Sequence, residues 1–133
     1  MKYLCMVIID EKKLQAMSES EAQALDDESL EYDDVLRKRG HFLAAQALES
    51  VSSATTVRIR SGKVSLTDGP FAETHEQIGG FILIEAKDLN EAIQLASHDP
   101  GIRLGAVEVR PIKELIWSDL VKLSGTRFWF FVF

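Results

Sequence analysis

The chain has 133 residues, 46% of them apolar and 27% charged, which is enough for one domain with a hydrophobic core of its own. Its net charge of −6, with acids clustered between Glu19 and Asp34 and no basic stripe to balance them, argues against nucleic-acid and anionic-membrane partners. The single cysteine, Cys5, excludes an intrachain disulfide, and no Cys/His cluster points to zinc.

Tyr3 to Ile9 is apolar at nearly every position and reads as a first strand either covered on both faces or central in the sheet. The run is too short to cross a bilayer and no cleavage site follows it, so the cytoplasm is the expected location. Asp10 to Met17 reads as a loop. Ser18 followed by Glu21 forms a capping box for a helix running to about Lys38, with Ala22, Leu25, Ser29, Tyr32 and Leu36 on one face. Gly40 stops it, and His41 to Leu48 reads as extended. Glu49 to Ala54 reads as a polar loop. Thr55 to Arg60 alternates, Ser61-Gly62-Lys63 turns, and Val64 to Thr67 alternates again, which together make a β-hairpin.

Asp68-Gly69-Pro70-Phe71 breaks the strand with turn residues. Gly79-Gly80 precedes the buried strand Phe81–Ile84, and the pair marks a bulge or a close backbone approach rather than a phosphate loop. Asp88 caps a second helix with Glu91 three residues on, and Leu89, Ala92, Ile93 and Ala96 form its apolar face. His98 to Gly101 ends it, and Leu104 to Arg110 is the last strand, closed by Pro111.

This order predicts an α+β fold with a ferredoxin-like sheet and two helices on one face. The other face then needs a cover, for which a second subunit is the economical choice, giving an expected homodimer. The domain is expected over residues 1–117. Residues 118–133 form an aromatic extension, expected to dock on the domain or on a partner subunit.

The run Thr67-Asp68-Gly69-Pro70-Phe71-Ala72-Glu73-Thr74-His75-Glu76-Gln77-Ile78-Gly79-Gly80-Phe81 resembles the signature of the YCII-related family, in its DGPF-motif branch. Met1-Lys2-Tyr3, the hairpin from Thr55 to Lys63, Glu85 to Ala92 and Ala106 to Pro111 are similar to the family's neighbouring segments, so the likeness covers roughly residues 1 to 117. His75 stands where that branch usually has lysine. The resemblance implies a dimeric α+β barrel type of fold, with a pocket near the dimer interface. It also implies a His–Asp pair in some relatives and a functional link to an extracytoplasmic-function sigma factor. A dehydrochlorinase of chlorinated aromatic breakdown is among the wider relatives.

Asp68, at a strand end before a Gly-Pro turn, is the first candidate for chemistry, as a base or as the orienter of an imidazole. The alternative is a carboxylate that only holds the turn. His41 and His75 are the candidate imidazole partners. Tyr3, Arg58, Glu73 and Arg110 are candidate ligand contacts, Tyr3 through its hydroxyl and the arginines through anion binding. Glu73, His75 and Glu76 fall together but make a poor metal set, so neither metal nor cofactor is expected. Three functions compete: a small-ligand binding protein, an acid–base lyase or hydrolase using an Asp–His pair, and a protein-interaction module. Binding is favoured.

Overall fold

The structure is a computed structural model that describes residues 1–116. The order of elements is β1 (Lys2–Asp10), α1 (Glu11–Gln15), α2 (Glu19–Lys38), β2 (Phe42–Ala47), a 3-10 turn (Val51–Ser53), β3 (Thr55–Arg60), β4 (Lys63–Asp68), β5 (Glu76–Glu85), α3 (Leu89–Ala96), a second 3-10 turn (Pro100–Leu104) and β6 (Gly105–Pro111). Four strands form one sheet in the order β2-β5-β1-β6, and β3 and β4 form a separate two-stranded sheet. All neighbouring strands are antiparallel.

Local chemistry sets the boundaries. Ser18 accepts from the Glu21 amide while the Glu21 side chain reaches back to the Ser18 amide, so α2 begins with a complete capping box. At its other end Gly40 takes φ 79°, His41 N–H donates to the Leu36 carbonyl and Gly40 N–H to the Arg37 carbonyl. That pairing is a Schellman cap, and it needs the left-handed residue that glycine supplies cheaply. Asp88 caps α3 through the Glu91 amide, and Glu91 reaches back one residue further than a capping box requires, to the Lys87 amide.

One face of the four-stranded sheet carries the core. The register aligns Tyr3 with Ile84 and Cys5 with Ile82. These residues pack with Leu36 of α2 and with Ala86, Ala92 and Ala96, flanked by Tyr32, Phe42, Leu95, Val107 and Val109. Helices α2 and α3 therefore share this face. Burial pushes the Cys5 thiol up to about 11, with the Asp99 charge adding to the effect. The opposite face presents Leu4, Met6 and Ile8 on β1 beside Phe81 and Leu83 on β5, all half-buried. No helix among the described residues is long and apolar enough to cross a membrane.

The expectation of two helices and a dimeric α+β barrel is corrected here. The fold is α+β, but among the described residues there are three helices, and the sheet is open, with β2 and β6 as its edges. A barrel needs its end strands to pair, and among the described residues these do not. The third helix, α1, lies in the segment expected as loop. It is one turn and a half long and is capped by Asp10, which accepts from the Lys12 amide. The aromatic extension of residues 118–133 lies outside the described residues.

Candidate functional site

A cavity of about 520 Å³ opens where the small sheet meets the first residues of β5. Its apolar wall is Leu48, Val51, Ala54, Pro70, Phe71, Ala72 and Ile78, and its polar lining is Glu49, Ser50, Ser53 and Gln77. The volume falls within the range of about 300–1,000 Å³ usual for small-molecule pockets.

Four local arrangements build it. Leu48 N–H donates to the Gly79 carbonyl, which carries the β2–β5 pairing to the cavity wall. Glu11 of α1 accepts from the Val51 amide at 2.9 Å and from the Ser50 hydroxyl at 3.0 Å, pinning the first 3-10 turn. The Gln77 side-chain amide donates to the Ala72 carbonyl at 2.7 Å and closes the loop before β5. Finally, Gly69 N–H donates to the Ala54 carbonyl and the Thr56 hydroxyl to the Gly69 carbonyl, which fastens the Asp68-Gly69-Pro70-Phe71 turn to the base of the hairpin. Gly69 takes φ 106°, a conformation that favours glycine.

The hairpin itself turns through Ser61 (φ 50°) and Gly62 (φ 76°), the two left-handed residues of a type I′ turn. Its register sets Val57 against Leu66 and Ile59 against Val64, all exposed, with Asp68 continuing that face. Thr56, Arg58 and Arg60 stand on the other. Phe71, 82% exposed, forms the lip of the cavity, and the Arg58 guanidinium lies over its ring, 5.4 Å from the centroid. That is within reach of a cation–π interaction.

The expected site residues do not gather in one place. Asp68 ends β4, Arg58 lies over the Phe71 ring, and Glu73 is exposed two residues beyond Phe71; none of the three lines the cavity. His75 is exposed just before β5. His41 lies at the other end of that strand, where its Nδ1 sits 2.8 Å from the Glu85 carbonyl and 4.0 Å from the Glu91 carboxylate. The ten residues of β5 separate the two ends by about 30 Å. Among the described residues, neither imidazole is hydrogen-bonded or ion-paired to Asp68. Tyr3 is buried in the core, its hydroxyl near the Met1 sulfur. Arg110 is exposed on β6 and bonded to Glu108. Among the described residues no group of Glu73, His75 and Glu76, or of any similar side chains, converges to hold a metal.

Leu48, Val51, Ala54 and Ile78 were not foreseen as site residues. The signal was present in Ser50-Val51-Ser52-Ser53. A serine accepting from the amide two residues on marks a turn, and the Val51 inside it is an apolar residue with somewhere to go.

A different kind of site lies under α2. Asp99 is only 5% exposed, and accepts from the Gly101 amide at 2.8 Å. Burial holds its carboxyl above the usual carboxylate range. Burial raises Asp33, Tyr32 and Cys5 as well, and the Asp99 charge adds to each. A carboxyl with a raised value in the folded state keeps its proton where the unfolded chain has lost it. Its contribution therefore lowers stability as pH rises from the ordinary carboxylate value through the raised one. Asp99→Asn keeps an oxygen for the Gly101 amide and removes the buried charge. Its melting temperature is expected to exceed that of the unaltered protein at pH 7, with the gap closing near pH 3; an equal gap at both would show that the charge is not the cause.

Comparison with known proteins gives two findings. Residues 1–116 match the YCII-related domain family. A stretch of 67 residues is 40% identical to an uncharacterised protein of Rhizobium meliloti (strain 1021), covering 49% of this chain and 54% of that one. The chain thus matches about half the length of that curated relative.

Proposed function

The chain belongs to the YCII-related domain family, and from that premise we propose that it binds a small, mainly apolar organic molecule in the cavity lined by Val51, Ala54, Phe71 and Ile78. The single observation that supports this most is the position of the motif turn. Pro70 and Phe71, the last two residues of the Asp-Gly-Pro-Phe signature, are themselves cavity wall. The same residues support reading the chain as a member of the DGPF-motif branch of the family. Concave apolar walls with a few polar groups are the usual make-up of a ligand site. Acid–base chemistry has less support, because proton transfer needs a base within hydrogen-bond reach of its partner and Asp68 has no bonded imidazole among the described residues.

The test is amide chemical-shift mapping with a panel of small acids and their primary amides, namely 3-phenylpropanoate, hexanoate, 3-phenylpropanamide and hexanamide. Shifts are expected at residues 48–54 and 69–78. Ala54→Trp fills the cavity from its wall and is expected to weaken every bound probe at least tenfold, with an unchanged circular dichroism spectrum. Shifts confined to other surfaces, or undiminished binding in the tryptophan variant, refute the proposal.

A further inference from the structure

Resting on that reading, we infer that the ligand is an organic acid: an apolar body held in the cavity, with an oxyanion head met by Arg58 at its lip. Two independent observations meet at one residue. Phe71 is part of the cavity wall, and the Arg58 guanidinium lies over the Phe71 ring. The cation therefore lies beside a side chain that belongs to the cavity wall.

The donors elsewhere on the wall are already committed. The Ser50 hydroxyl donates to Glu11, the Ser53 hydroxyl to the Ser50 carbonyl, and the Gln77 amide to the loop before β5. They shape the cavity and leave little to recognise a polar ligand group. Arg58 is different. An aromatic ring satisfies none of a guanidinium's N–H hydrogen bonds, so these stay available to a planar oxyanion. Among the described residues Arg58 forms no ion pair with a carboxylate of its own chain. Its strand neighbour across the hairpin is Ser65, an uncharged residue.

Glu49 opposes this preference, since it lines the same cavity. It is exposed, so solvent screens its repulsion, whereas Arg58 is half-buried against the ring. Glu49→Gln is accordingly expected to tighten the binding of an acid.

The experiment measures dissociation constants for each acid and its amide by the same shift titration, at low salt, in the unaltered protein and in Arg58→Gln and Arg60→Gln. The two substitutions change net charge equally, but only Arg58 lies over Phe71. The acids are expected to bind at least tenfold more tightly than the amides. Arg58→Gln should erase that ratio while changing amide binding by less than twofold, and Arg60→Gln should leave the ratio intact. Equal binding of acids and amides within the cavity overturns the inference and leaves the ligand-binding reading standing, as does a ratio that survives Arg58→Gln. Absence of shifts at the cavity with every probe overturns both.

Discussion

Replacing Ile84 by alanine is expected to cost about 2–5 kcal/mol of folding stability. Ile84 is 1% exposed and stands on β5 between Tyr3 of the central strand and Phe42 of the edge strand. Both neighbours are fixed by their own ladders, so they collapse poorly into the space left behind. The lost transfer energy and the residual cavity therefore add. Ile84→Val, which removes one methylene, should cost only about 0.5–1.5 kcal/mol. Urea unfolding of the two variants measures both values. A loss below about 1 kcal/mol for the alanine variant would mean the core relaxes around this position, contrary to the packing described.

The second large effect is expected at Gly105. This residue has φ 172°, an extended value that any residue adopts, so conformation does not demand glycine here. Space does. A Cβ at Gly105 would fall 2.1 Å from the Ile8 carbonyl oxygen and 3.0 Å from its carbon. Backbone cannot rotate aside as a side chain can, so β6 must move away from β1 at the start of their pairing. Gly105→Ala is expected to reach or pass the upper end of the about 1–3 kcal/mol usual for overpacking. Gly79 supplies the control. A Cβ there would meet the side chain of Ile9, at 2.6 Å from its terminal methyl, which can swing to another rotamer. Gly79→Ala should therefore unfold at a higher urea concentration than Gly105→Ala; the reverse order would sink the steric argument.

Much of the fold was legible because its signals are local. Ser18 with Glu21, Gly40, the Ser61-Gly62 turn and Asp88 each state a boundary through a hydrogen bond or a backbone angle confined to a few residues. The Gly79-Gly80 pair was read as a bulge or a close approach, and both occur. The β1–β5 register slips between Val7 and Ile8, opposite this pair, and a Cβ on Gly80 would fall 2.8 Å from the Gln46 carbonyl. Helix α1 escaped notice because five residues carry too little periodicity to be told from a loop.

The candidate site was legible only in part, for a different reason. The Asp68 to Phe71 turn drew attention through its residue types, and Phe71 proved to line the cavity. The other wall residues come from β2, the first 3-10 turn and β5, and only the tertiary fold brings them together. Among the described residues His41 bonds to the Glu85 carbonyl at the far end of β5 from His75, and it is not bonded to Asp68. Barrel closure was carried over from the family likeness, whereas strand order is a property of this chain, and among the described residues its sheet has two edges.

The placement of β1 has a consequence for synthesis on the ribosome. This inner strand of the sheet is made before its partners β5 and β6, which lie some 70 to 110 positions further along the chain. Until residue 111 has left the exit tunnel, Tyr3 to Ile9 has no complete pair of neighbours, and its apolar side chains wait unprotected in a nascent polypeptide. Such long-range pairing slows collapse to the final state and lengthens exposure to aggregation. A chaperone that holds nascent chains would therefore meet β1 while it is still unpaired.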